Sequence, residues 1–247
     1  MKALEVQGLQ KSFDGFAALK GVDLHVDSGE LFGLIGPNGS GKTTLFNCIT
    51  GTLRCSGGRV QFKGRDITNR APNLIYKMGI GRTCQLIEVF PQMTVMDNML
   101  LAIQEVQGSM LSRLLRVNEQ ANVERALELL EFLRISHVID EYARNLSYGQ
   151  QKLLDFGMVL MSAPQLILLD EPTCGVETEM RQQMMEYIRE LNGRGHTIVV
   201  IEHNMDVVMG LCGRIAVLDS GEKISEGTPD EIQKNQRVID AYFGAGE

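Results

Sequence analysis

The run GPNGSGKT, residues 36 to 43, joins residue types that together can hold a phosphate chain. Gly36, Gly39 and Gly41, with Pro37, Asn38 and Ser40 between them, let the backbone curl until successive N–H groups face one point, and the helix opening at Lys42, Thr43 and Thr44 adds its positive end. The Lys42 ammonium reaches β and γ phosphates, and the Thr43 hydroxyl is a ligand for Mg²⁺. A second acidic group of residues follows an apolar run in QLILLDEPT: Asp170 suits a magnesium ion, directly or through water, and Glu171 suits a general base that polarises water. Such a pair alone also reads as a helix cap or a solvated feature.

His203 ends the run TIVVIEH and could sense a γ-phosphate, although a lone histidine is ordinarily structural. Gln85 in GRTCQ offers an amide for Mg²⁺ or water, and a plain surface glutamine explains it as well. Phe13 can stack on a base or belong to a core. In NLSYGQQKLL, Ser147 precedes Gly149, Gln150 and a helical pattern, so it can cap a helix whose free N–H groups face an anion; a plain capped helix also accounts for it.

These residues need strand ends and helix starts to carry them. Alternation in VDLHV, with Val22, Leu24 and Val26 against Asp23 and His25, marks one of several short strands expected between residues 4 and 30. Leu31 to Ile35 reads as a buried strand before the phosphate loop, and KTTLFNCITG as the helix after it. Residues 52 to 70 read as a turn and a short hairpin, with Gly57 and Gly58 making the turn. Residues 86 to 162 have helical period, including a Glu- and Leu-rich stretch from Glu124 to Leu133. LILLD, TIVVIE and IAVLD then read as buried strands separated by helices such as EMRQQMMEYIRELNG. Strands alternating with helices predict an α/β chain with a parallel core sheet, an N-terminal antiparallel β-subdomain and a helical subdomain over 86–162, with 1–85 and 163–247 forming the core.

The 247 residues, 44% of them hydrophobic, are enough for one such domain. A net charge of -7, with no basic run, argues against a nonspecific grip on nucleic acid or an anionic membrane. Five scattered cysteines without a CxxC pair suggest neither disulfides nor zinc and fit a reducing compartment. No secretory leader or long apolar run is visible, so a soluble, cytosolic chain is expected.

Taken in order, Phe13, the phosphate loop, Gln85, Leu146-Ser147-Tyr148-Gly149-Gln150, Asp170 and Glu171, CGVE and His203 resemble the ATP-binding cassette (ABC) ATPases over nearly the whole chain. That resemblance implies a P-loop NTPase fold, ATP with Mg²⁺, and a head-to-tail pair of ATPase subunits, a copy of this chain or a related one. Each ATP would lie between one subunit's phosphate loop and the partner's signature residues, Ser147 and Gly149. In transporting members, membrane permease subunits dock near Gln85; here LIEVFPQMTVMDNMLLA, with Met93, Met96 and Met99, is adaptable docking material or ordinary subdomain core.

GRTCQ, YGQQ, IEHNMDVVM and the tail EGTPDEIQKNQRVIDAYFG are similar to the ATPase subunits of importers for branched-chain amino acids and related amides. This implies a solute-binding protein as a further partner and a place on the inner face of the membrane through the permease. Cys84, Met158 and Glu177 depart from the family's aromatic, arginine and aspartate or asparagine, while Tyr148 replaces a signature glycine. Three rivals stand beside this reading: a lipid or lipopolysaccharide exporter's ATPase, which shares the short tail; a non-transport ABC machine, which would carry coiled coils or a second phosphate loop; and a small-molecule kinase, which would leave the signature and His203 without purpose.

Overall fold

The computed structural model describes residues 1–103 and 119–243; the part of the expected helical subdomain at 104–118 and the end of the tail at 244–247 lie outside the described residues. The strands are β1 (Lys2–Phe13), β2 (Phe16–Asp27), β3 (Leu31–Ile35), β4 (Gly57–Phe62), β5 (Arg65–Asp66), β6 (Ile80–Arg82), β7 (Leu166–Asp170), β8 (Thr197–Ile201), β9 (Arg214–Asp219) and β10 (Glu222–Gly227). The helices are α1 (Lys42–Ile49), α2 (Pro72–Lys77), α3 (Val95–Leu101), α4 (Glu119–Phe132), α5 (Tyr148–Met161), α6 (Thr178–Gly193), α7 (Met205–Leu211), α8 (Pro229–Gln233) and α9 (Gln236–Phe243). Two compact units result, Met1–Arg82 with Gln165–Glu247, and Thr83–Pro164.

In the first unit, β3, β7 and β8 are buried at every position, so they read as continuous apolar runs rather than alternating ones. They sit inside a six-stranded sheet ordered β10-β9-β3-β8-β7-β6, parallel except for the antiparallel edge strand β10. Its strands therefore point their carboxyl ends the same way, and residues 36, 171 and 202 follow three of them directly. A second, four-stranded antiparallel sheet, β2-β1-β4-β5, shares the core through Leu4, Val6, Val22, Leu24 and Val26, packed with Phe46, Ile49 and Phe62.

Two local expectations are corrected. Residues 2 to 27 form one long hairpin of two 12-residue strands, not several short ones, because register shifts at Val6/Leu9 and Lys11/Ser12 break the period-two pattern that a sequence shows. Gly57 and Gly58 do not make the β4–β5 turn. Lys63 and Gly64 do, with φ of 49° and 73°, the paired left-handed geometry of a two-residue hairpin loop. Gly58 is instead the second residue of β4, at φ 84°, where β4 slips register against β1 and a Cβ would stand 2.3 Å from the Gly8 carbonyl oxygen. Polar composition hid the edge strand β10, and shortness hid β6.

The second unit packs α3 and α4 against α5. Thr94 and Asp97 cap α3 reciprocally. Met99, Leu130, Leu133 and Phe156 are buried in its core, where Gly157 lets Met99 approach: a Cβ there would meet the Met99 sulfur at 3.1 Å. Arg125 closes the end of α5 by donating to the Leu160 and Met161 carbonyls, both at 2.8 Å. Asn98 is buried and ties the preceding loop, accepting from the Phe90 amide at 2.7 Å and donating to the Thr94 carbonyl at 2.8 Å.

Asp155 on α5 is the costly member of this unit. Its carboxylate accepts the Glu88 amide at 3.2 Å, yet burial, with the Glu88 carboxylate nearby, pushes its pKa up to about 6, against a partial pull from Lys152. A carboxyl that holds its proton more tightly when folded contributes stability at low pH and loses it as pH rises through the folded value. Asp155→Asn is therefore expected to match the parent near pH 4 and to exceed it by about 2 kcal/mol above pH 6. Urea melts across pH 4 to 8 check this, and a constant gap would contradict it.

Candidate functional site

In the first unit the phosphate loop bridges β3 and α1. Gly36 leaves β3 at φ 149°, and a Cβ there would stand 2.0 Å from the Leu218 carbonyl of β9, so only glycine lets the loop pass this close to the sheet. Ser40 is buried, and its carbonyl accepts the Gly221 amide at 3.1 Å, which fastens the loop to the β9–β10 turn. Lys42 opens α1 and folds back over the loop, donating to the carbonyls of Gly36 at 2.8 Å and Pro37 at 2.9 Å and lying 3.4 Å from the Ser40 hydroxyl. Burial holds its pKa below the usual lysine value, and the Glu171 and Asp170 carboxylates work in the opposite direction. Asn38, Gly39 and Thr43 are exposed, with Pro37, Gly41 and Thr44 half-buried.

Asp170 ends β7, almost wholly buried, and takes the Arg82 guanidinium at 2.9 Å. Burial still raises its pKa, more than Arg82 lowers it. Arg82 also donates to Asn47 of α1 at 2.5 Å and lies 5.6 Å from the Phe46 ring centre, so one side chain ties β6, α1 and β7 together. Glu171 follows at φ 52°, a left-handed conformation rare outside glycine, fixed by its amide donating to the Ile201 carbonyl at 2.9 Å. The His203 Nε2 lies 2.5 Å from the Glu171 carboxylate. Lys42, Asp170, Glu171 and His203 thus share one sheet edge.

This arrangement fits a nucleoside triphosphate with magnesium. The loop offers a lysine and curled backbone for phosphate, and Thr43 and Asp170 are oxygen donors of the kind magnesium prefers. Among the described residues no cluster of three His, Cys, Asp or Glu side chains could hold a metal. Magnesium there would be completed by phosphate oxygens, its usual mode of binding beside one or two carboxylates.

The remaining candidates divide. Phe13 lies at the end of β1 beside the hairpin turn, 41% exposed with Lys11 4.6 Å from its ring centre, so it is not a core phenylalanine. Gln85 is exposed and belongs to the second unit. So do Ser147, Gly149 and Gln150: Ser147 is the N-cap of α5, accepting the Gln150 amide at 3.3 Å while the Gln150 side chain accepts the Ser147 amide at 2.9 Å. Tyr148 is exposed beside them. Glu177 occupies the N-cap of α6 without a side-chain cap bond, and the shorter aspartate or asparagine of the family pattern suits that position better. Met99 is core, with Met93 and Met96 half-buried; Cys84 and Met158 are also half-buried. Motif reasoning passed over Arg82, in GRTCQ, and Glu202, in TIVVIEH. Each is a charge at the end of an apolar strand, the signal that could have marked it.

The model of the ABC transporter family matches residues 19–174, and that of the branched-chain amino acid ATP-binding cassette transporter matches residues 222–247. A probable branched-chain amino acid transport ATP-binding protein (LivG) of Archaeoglobus fulgidus is 39% identical over 99% of this chain and 96% of its own length. The high-affinity LivG protein of Escherichia coli K12 is 36% identical over 98% and 97%. Among solved structures, a nucleotide-free ATP-binding cassette from an ABC transporter superposes with TM-score 0.88 at 37% identity, covering all of both chains. A dimeric cassette in a post-hydrolysis state with ADP and Pi superposes with TM-score 0.80 at 26% identity over 92% of this chain and 98% of its own.

Replacing Arg82 by methionine keeps the apolar stem over Phe46 and removes the cation from the buried Asp170 carboxylate. Breaking one side of such a pair is expected to lower the unfolding free energy by about 3 kcal/mol. Urea melts of the Arg82→Met chain test this; an unchanged midpoint would show that the pair contributes nothing.

Proposed function

The chain belongs to the ABC transporter family of ATP-hydrolysing cassettes, and from that membership we propose that it is the ATP-binding subunit of an importer for branched-chain amino acids or related amides. The observation that carries the substrate class is the near full-length match to relatives named for branched-chain amino acid transport, at 34% to 39% identity, together with the tail match at residues 222–247.

In this reading the loop amides from Gly36 to Thr44 and the Lys42 ammonium bind the β and γ phosphates of ATP, with Phe13 against the adenine. Thr43 and Asp170 would hold Mg²⁺, and the ion would supply charge neutralisation at the phosphates. Glu171 takes a proton from the attacking water, and His203, 2.5 Å from that carboxylate, fixes its orientation and senses the γ-phosphate. Ser147, Gly149 and Gln150 complete the ATP site of a second ATPase subunit, whose own signature completes the site here, so γ-phosphate holds the pair closed and hydrolysis releases it.

Permease subunits then take up the stroke at the surface around Gln85, where Leu86 is 81% exposed and Phe90 is exposed as well. A solute-binding protein delivers the substrate from the other side. Among the described residues no helix is long and apolar enough to cross a membrane; in this reading the permease holds the subunit at the inner face.

Reconstitution with the permease and binding protein of a branched-chain amino acid importer tests the substrate class: leucine, isoleucine or valine should raise ATP turnover severalfold. Stimulation by a lipid in their place would make the chain an exporter's ATPase. Glu171→Gln is expected to bind ATP, to hydrolyse it about a hundredfold more slowly or worse, and to accumulate a closed dimer on size exclusion. Full activity in that variant would place the base elsewhere.

A further inference from the structure

Glu202 is 3% exposed and sits between the end of β8 and His203. Its carboxylate faces two loops at once. One oxygen, Oε1, accepts the Thr173 amide at 2.8 Å and the Thr173 hydroxyl at 2.6 Å, in the segment two residues beyond Glu171. The other, Oε2, accepts the amides of His203 at 3.2 Å and Asn204 at 3.5 Å. Four donors on one buried carboxylate is a geometry that neither an alkyl side chain nor an amide can reproduce, because an amide has a single acceptor oxygen.

The two loops so joined are those that carry Glu171 and His203. Glu171 has a left-handed φ of 52°, a conformation that persists only where its surroundings over-determine it. The hydrogen bond from its N–H to the Ile201 carbonyl fixes one side of the residue, and the Thr173 segment fixes the other. We propose that Glu202 is a positioning residue that locks the loop after β7 to the loop after β8, so that the Glu171 carboxylate and the His203 imidazole hold their 2.5 Å approach. This rests on the reading of Glu171 and His203 given above. Glu202 touches neither phosphate nor water in this account; it acts by denying Glu171 the freedom to relax away from His203.

Two near-isosteric variants test the brace in the full-length chain. Glu202→Gln keeps one acceptor and turns donors toward the other amides, and Thr173→Val removes the hydroxyl alone. Each is expected to lower kcat about tenfold or more, since small displacements of a reacting group are costly, while the Kd for MgATP stays within about twofold. The double variant should lose no more than Glu202→Gln does, as expected of two residues acting as one unit. Unchanged kcat in both single variants overturns the proposal. So does a joint fall of kcat, nucleotide affinity and thermal midpoint, which would make Glu202 a general support of the fold, or losses that multiply in the double variant. Glu171→Gln run in parallel separates the two levels: if it stays active, the assignment of the base fails; if it is inactive while Glu202→Gln turns over normally, only the brace fails.

Discussion

Everything at the sheet edge follows from one constraint: charged groups must stand where a fully buried parallel sheet ends. β3, β7 and β8 carry no exposed residue, and the first positions past them, Gly36, Glu171 and Glu202, are buried as well. A charge placed there keeps only part of its hydration and needs partners fixed in advance. Lys42 takes carbonyls of its own loop, Asp170 takes Arg82, and Glu171 meets His203. The loop geometry is subordinate to this. Gly36 is glycine because the loop must press on β9 to bring Lys42 back over itself, and Ser40 is buried because the β9–β10 turn pins it.

The same constraint explains what could be read from the sequence. Apolar runs that end in a glycine-rich loop or an acidic pair announce buried strands and the groups at their ends, so β3, β7, β8 and β9 were legible along with Lys42, Asp170, Glu171 and His203. The cap at Ser147 was legible too, since serine followed three residues later by glutamine is a local signal. What stayed hidden was non-local. The long β1–β2 hairpin breaks its own alternation at bulges, and Gly58 serves a crossing with Gly8 that lies fifty residues away in sequence. Arg82 looks like an ordinary cation until β6 is seen beside β7, and Glu202 like part of a histidine motif until Thr173 is seen beneath it.

The second unit is held by different means. Its helices start and stop on side-chain bonds, through Thr94 and Asp97, Ser147 and Gln150, and Arg125 on the last carbonyls of α5. The Ser147–Gln150 box satisfies only part of the first turn of α5, whose opening amides have no partners within the helix itself. A helix start with an exposed serine, a small residue at Gly149 and no acidic side chain in its first turn is compatible with an anion. Asp155, two turns on, is buried instead, and that burial raises the pKa of its carboxyl.

Three carboxylates at the ends of β7 and β8 illustrate how partner chemistry sorts residues by task. Asp170 is matched with an arginine, Glu202 with backbone amides and a hydroxyl, and Glu171 with an imidazole. Arginine does not give up its proton in a protein, and amides do not ionise, so the first two matches are static. An imidazole is the one partner of the three that can gain or lose a proton near neutrality. Glu171 is also the one carboxylate of the three held in a left-handed backbone, aimed away from the regular course of its strand. The pair of Glu171 and His203 is where proton transfer at this edge is chemically possible, and the Glu202 carboxylate, bonded to Thr173 on one side and to His203 and Asn204 on the other, joins the two segments that carry the pair.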